Sequence, residues 1–195
     1  MVLHSATKCL GGHSDALIGI VTASPWTERG RELGPLLKQV RIMVGAVASP
    51  FDTWLTIRGM RTLHVRMERQ STTALALAEL LHNHPFVPVV HYPGLASHPQ
   101  HEVARKQMVG GFGCVLSLEL ADEKKAIAVA AALQTVQRAT SLGGTESLVE
   151  HRASIEPEGR VVSPPGLLRV SVGLEDPQDI IEDFQNALRI AQQDS

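Results

Sequence analysis

The hydrophobic period of the chain changes at Pro85, and this divides what the polypeptide can fold into. Before it, Phe51, Trp54, Leu55, Met60, Leu63, Met67, Leu75, Leu77, Leu80 and Leu81 recur at three- and four-residue steps. That spacing stacks side chains on one helical face. Ser49-Pro50 marks the start, since a hydroxyl can cap a helix and proline's missing N–H would be unpaired at the first position anyway. Pro85 ends the run because it lacks an amide donor, and Gly59 is the expected bend. After Pro85 the pattern alternates, which predicts strands over residues 86–92, 114–120 and 168–172. Helices are expected over residues 101–109, after Asp122 with Ala126, Val129, Leu133 and Val136 on one face, and after Asp176-Pro177 with Ile180, Ile181, Phe184 and Leu188 inward. Ahead of Ser49, residues 1–4 and 16–23 read as two buried strands joined by a loop, and Leu36, Leu37, Val40 and Met43 define a helix between Pro25 and Val44. The side chains of Phe51 and Trp54 are expected to pack as helix core. The resulting plan is α/β: a strand-containing segment over 1–48, connecting helices over 49–83 and a compact sheet-and-helix domain over 84–195.

Charge narrows the function. Eighteen Lys and Arg against twenty Asp and Glu give a formal charge of −2, without the basic stripe that nucleic-acid binding needs to displace counterions. No uncharged apolar run reaches the roughly 18 to 20 residues that span a bilayer, and no basic segment leads into an apolar one at the N-terminus. The expectation is a cytoplasmic protein with no nucleic acid and no membrane partner. The two cysteines, Cys9 and Cys114, are expected to be free thiols.

The densest group of chemically useful residues is Ser5-Ala6-Thr7-Lys8-Cys9-Leu10-Gly11-Gly12-His13-Ser14-Asp15. A lysine just past a strand, flanked by two hydroxyls and followed by two glycines, has the parts of an amine nucleophile beside a phosphate cradle. Read without further context, the same residues also describe a solvated lysine and a turn. Ser5-x-x-Lys8 additionally spells the serine–lysine pair of penicillin-recognising acyl enzymes, but the Ser-Asp-Asn and Lys-Thr-Gly strings those enzymes need are absent. His82, His84, His91, His98 and His101 lie close in sequence, yet no carboxylate or cysteine completes a ligand set at metal spacing, so no metal is expected. His13 and Asp15 read as loop-fixing residues.

The string HSATKCLGGHSD resembles the cofactor-lysine signature of the Cys/Met metabolism family of pyridoxal-phosphate enzymes, which includes cystathionine synthases and lyases, methionine gamma-lyase and homoserine-ester sulfhydrylases. The similarity continues in order through residues 49–67, 90–108, 141–151 and 167–184. The resemblance implies part of the large domain of an aspartate aminotransferase-like, fold type I enzyme over 1–48 and its smaller C-terminal α/β domain over 84–195. It implies pyridoxal 5′-phosphate carried by Lys8 as an internal aldimine, phosphate support from Ser5 and Thr7, and a substrate carboxylate held by Ser141 and Arg169. The guanidinium fork suits a carboxylate. The implied activity is lyase or transferase chemistry in transsulfuration, by β-elimination, γ-elimination or γ-replacement on cystathionine, methionine or an O-acylhomoserine. The partners implied are a small amino-acid substrate and a homo-oligomer, a dimer of dimers in the intact family.

Three features depart from the pattern. Cys9 stands where the family carries an aromatic, and Thr140 stands where cystathionine gamma-enzymes often carry Glu. Family members are also about twice this long, which places this chain as a C-terminal half. A second expectation follows from that: a non-catalytic half-protein or assembly module, whose sheet edges require another chain.

Overall fold

The computed structural model describes residues 1–157 and 159–193. Two compact units divide between Leu63 and His64. No helix among the described residues is long and apolar enough to cross a membrane.

The first unit holds an antiparallel ribbon of β1 (Val2–Ser5) and β2 (Gly19–Thr22), followed by α1 (Glu28–Val44) and α2 (Pro50–Met60). Thr27 caps α1 by accepting from the Gly30 amide, and Ser49 caps α2 by accepting from the Asp52 amide, with Pro50 at the first helical position. Both strands are largely exposed, contrary to the burial expected for them. Leu36, Val40 and Met43 of α1 are exposed too, and Leu37 is partly buried. Phe51 and Trp54, expected in a helix core, stack on each other at 6.1 Å with Trp54 57% exposed. Apolar periodicity located these elements, but it could not say what covers their apolar sides.

The helical run after Ser49 breaks into two. Arg61 N donates to Arg58 O, and both the amide and the hydroxyl of Thr62 bond Gly59 O. These tighter three-residue bonds end α2 at Met60, one position past the expected bend. Next, α3 (Leu63–His82) stops ahead of Pro85, and β3 is confined to Val89–His91, shorter than the strand expected over 86–92.

The second unit builds a five-stranded mixed sheet. After α4 (His101–Gln107) come β4 (Val115–Glu119), α5 (Glu123–Ala132), β5 (Gln137–Arg138), β6 (Leu148–His151), β7 (Leu167–Ser171) and α6 (Pro177–Gln193). The strand order is β3-β4-β7-β6-β5, antiparallel except for the parallel β5–β6 pair. Register puts Val90, Leu116, Leu118, Leu168, Val170 and Val149 on one face. They form one core with Leu77 and Leu81 of α3, Val129 of α5, and Ile180, Phe184 and Leu188 of α6. Burying a side chain of this size contributes about 1.5 to 3 kcal/mol. Strands β5 and β6 carry no alternating pattern: Val149 and Glu150 are adjacent and both buried, the second through ion pairs.

Val136, expected on the α5 helical face, lies beyond the helix yet is buried, held there by Asp183 of α6. Asp183 accepts from the amides of Gln134 and Thr135 at 2.8 Å and of Val136 at 2.9 Å. Removing that carboxylate strands three backbone donors, and each buried one costs about 1 to 3 kcal/mol. Asp183→Ala should therefore lower stability by about 2 to 4 kcal/mol in urea unfolding. Asp183→Asn, which keeps one acceptor oxygen, should lose less.

Candidate active site

The Lys8 segment is shaped by a coil that closes on itself after β1. Lys8 N donates to Ser5 O at 3.2 Å, Gly11 N to Ala6 O at 2.8 Å, and Gly12 N to Lys8 O at 2.8 Å, so the lysine backbone is bonded on both sides. Ala6 is fully buried beneath it. The coil rests on α2 through a glycine pair, since a Cβ at Gly59 would lie 2.0 Å from Gly11 O. His13 fixes the far end by donating Nδ1–H to Gly11 O at 2.8 Å, the loop-holding role read for it from sequence. With Asp15, it also lines a cavity of about 300 Å³ beside Trp54 and Arg58.

Ser5 and Thr7 line a separate cavity of about 360 Å³ with Leu3, His4, Leu17, Ile18 and Gly19. Thr7 joins the coil to the entry of β2: its hydroxyl accepts from Ile18 N at 3.0 Å and donates to Ile18 O over a long 3.4 Å. Lys8 follows directly, half-buried. Two hydroxyls lining one cavity, with a lysine next in the chain, fit a group bearing both a phosphate and an aldehyde. The weak hydroxyl donation from Thr7 can be redirected to a phosphate oxygen without dismantling the coil, because the Thr7 amide still bonds Ile18 O at 3.2 Å.

Ser141 and Arg169 come together in the second unit. Arg169 lies on β7, on the sheet face turned away from the apolar core, and its Nη2 donates to Ser141 O at 2.9 Å. Ser141 has φ 92°, in the left-handed region that side chains avoid, and Gly143 has φ 77°. Surrounding bonds hold this strained loop. Gly143 N donates to Ser171 Oγ at 2.9 Å, Gln70 Nε2 donates to Gly144 O at 2.7 Å and Val172 O at 2.9 Å, and Leu174 N donates to Thr145 O at 2.7 Å.

Glu150 on β6 is the direct cross-strand neighbour of Arg169. Its Oε2 accepts from Arg169 Nη2 and its Oε1 from Arg152 Nη1, both at 2.5 Å. The Glu150 hydrogen bond raises the Arg152 guanidinium above its ordinary pKa. Sequence reasoning found Arg169 and Ser141 through resemblance but missed Glu150, Gln70 and Ser171. Their roles depend on register and on contacts across as many as 102 residues, which no local pattern encodes. The histidines that cluster in sequence are engaged locally: His91 with Glu119 at 2.6 Å, His101 with Pro93 O at 2.8 Å and His82 with Ser97 at 3.4 Å. Among the described residues neither Cys9 nor Cys114 is in a disulfide.

A strand-to-loop lysine beside two hydroxyls, with an arginine on a sheet face in the same chain, is compatible with the class of pyridoxal-phosphate enzymes, and the comparisons place the chain in that class. More narrowly, the chain belongs to the Cys/Met metabolism PLP-dependent enzymes, whose family model matches residues 1–189 and whose cofactor is pyridoxal 5′-phosphate. It is 44% identical to the cystathionine beta-lyase of Lactococcus lactis, over 96% of this chain and 50% of that protein. It is 42% identical to the cystathionine gamma-synthase of Mycobacterium tuberculosis, over 96% of this chain and 48% of that protein. The crystal structure of metB from Corynebacterium glutamicum superposes with a TM-score of 0.87 at 40% identity, covering 96% of this chain and 48% of that one. The chain thus spans about half the length of the relatives it matches.

The glycine contact under the Lys8 coil yields a direct test. Gly59→Ala places a methyl against a backbone oxygen, and overpacking of this kind costs about 1 to 3 kcal/mol. Hydrogen exchange at the Gly12 amide, which is bonded to Lys8 O, should accelerate by at least about tenfold in that variant. The Asp183 amide in the other unit should be unaffected.

Proposed function

We propose that this chain supplies the cofactor lysine and the substrate-carboxylate site of a pyridoxal-phosphate-dependent lyase or transferase acting on a sulfur amino acid or a homoserine ester. Residues 1–48 are the cofactor-binding part, 49–83 the connector and 84–195 the substrate-facing domain of a homo-oligomeric enzyme. The observation that carries this reading is the Ser5–Thr7–Lys8 coil, with two hydroxyls on one cavity and the lysine next in the chain, its backbone bonded on both sides. When bound, pyridoxal phosphate supplies an electron sink for charge developing on the substrate. The chain's own residues do the rest. Lys8 anchors the cofactor through Nζ and afterwards holds or moves a proton at that atom. Ser5 and Thr7 orient the phosphate. Arg169 and the Ser141 loop orient the α-carboxylate. β-Elimination, γ-elimination and γ-replacement all use these parts.

The test is chemical. On mixing with pyridoxal phosphate the chain should absorb in the visible, and borohydride should then attach the pyridoxyl group to Lys8, identified by peptide mass spectrometry. Lys8→Ala should abolish that label while changing stability by no more than about 0.5 kcal/mol. Labelling scattered over other lysines, with none on Lys8, would refute the reading.

A second reading is favoured by the exposed apolar side chains of the first unit, among them Leu3, Val40, Met43 and Trp54. In this reading the chain is an assembly module that another polypeptide must cover. Alone, it should bind an apolar-surface dye strongly. Co-expression with a polypeptide matching the other half of the relatives should give a co-purifying complex in which dye binding falls severalfold. Equal dye binding with and without that polypeptide would count against it.

A further inference from the structure

Arg169 is built into a charge arrangement that its proposed role alone does not require. Both contacts of its guanidinium within the described residues fall on one nitrogen, Nη2, which donates to Glu150 Oε2 and to Ser141 O. Nε and both hydrogens of Nη1 remain uncommitted, on a side chain 23% exposed. Glu150 is almost wholly buried, its side chain 3% exposed, and it has no role in the catalytic steps described above. A carboxylate this deep must be paired, because an unpaired buried charge costs several kcal/mol. It is paired twice, its second oxygen going to Arg152.

This arrangement has two separable effects. The Glu150–Nη2 bond fixes the plane of the Arg169 guanidinium, and since the same nitrogen holds Ser141 O, one bond orients both partners of the proposed carboxylate site. A single buried Glu beside a single Arg would, however, cancel the positive charge an incoming anion needs. Arg152 removes that conflict by sharing the Glu150 charge, so the cluster of Arg169, Glu150 and Arg152 carries a net positive charge. Farther out, Glu156 lies 3.7 Å from Arg152 Nε. Its own charge is largely engaged by the Ser163 hydroxyl and the Val162 and Ser163 amides, which hold it below the usual carboxylate range.

We propose that Glu150 is a positioning residue that orients Arg169 and the Ser141 loop for a carboxylate ligand, and that Arg152 preserves the attraction of Arg169 for that ligand by sharing the Glu150 charge. This rests on the reading of Arg169 as the carboxylate site. Its test therefore uses readouts that separate the two ideas.

The experiment is side-chain NMR on the full chain labelled with [15N]arginine, using acetate as a bare carboxylate probe. In the native chain the Arg169 Nη2–H groups, held by Glu150 and by Ser141 O, should exchange slowly with solvent, and the uncommitted Nε–H should shift on acetate addition. Glu150→Gln keeps the shape and removes the charge, and should speed that exchange at least about tenfold; Glu150→Asp should restore part of the protection. Arg152→Ala, at a half-exposed position, should leave the Nη2–H groups protected but weaken acetate binding by about threefold or more. Arg169 exchange within about twofold of native in Glu150→Gln would overturn the positioning role. Unchanged or tighter acetate binding in Arg152→Ala would overturn the charge-sharing role. A native chain in which acetate moves no Arg169 resonance would instead refute the carboxylate reading itself, whatever Glu150 does to exchange.

Discussion

A sheet that buries one face against helices has to place its charges on the other, and the second unit is organised around that asymmetry. Leu116, Leu118, Val149, Leu168 and Val170 point into the core shared with α3, α5 and α6. The period of two then forces Ser117, Glu150, Arg169 and Ser171 to the opposite side. A one-residue slip of β7 against β6 would exchange Arg169 for Leu168 or Val170, burying a guanidinium among aliphatic groups. The apolar core thus sets the register, and the register creates the Arg169–Glu150 pair.

The loop from Ser141 to Gly144 shows how such a scaffold supports strain. A serine at φ 92° does not persist by local preference. It is held by Arg169, while the rest of the loop is tied down by Ser171 and Gln70, all three reaching it from regular elements. Gln70 is fully buried, and its two donations are the link between α3 and the end of β7. The Lys8 coil follows the same logic on a smaller scale, with Gly11 against Gly59, Thr7 against Ile18 and His13 against Gly11. In both places a chemically useful residue sits on an irregular segment whose backbone bonds are supplied by neighbours.

Much of the architecture was legible from residue order because it depends on local physics. Caps at Ser49 and Asp122, the proline stop after α3, and the alternation of residues 115–119 each follow from interactions within a few positions. The break at Arg61–Thr62 fell two residues from Gly59, since glycine permits a bend while the hydrogen-bond switch decides where it occurs. Strands β5 and β6 were illegible because Glu150 is buried as an ion-pair partner, which makes the hydropathy of β6 misleading. Burial of β1 and β2 was expected from their short, branched apolar runs and is largely absent, because burial belongs to whatever a surface packs against. Within the candidate site, Lys8, Ser5, Thr7, Ser141 and Arg169 were identified through family resemblance, whereas Glu150, Arg152 and Gln70 emerged only when strands were paired.

Taken alone, the order of amino acids determined the helix starts at Ser49 and Asp122, the alternating strands, the family and a candidate cofactor lysine, because capping, periodicity and a short signature are properties of neighbouring residues. Tertiary structure alone decided that Glu150 faces Arg169, that one nitrogen holds both Glu150 and Ser141, and that Gly59 receives Gly11. Those contacts join residues 19, 28 and 48 positions apart. They arise from packing and strand register, whose energies are settled only when the whole core has formed.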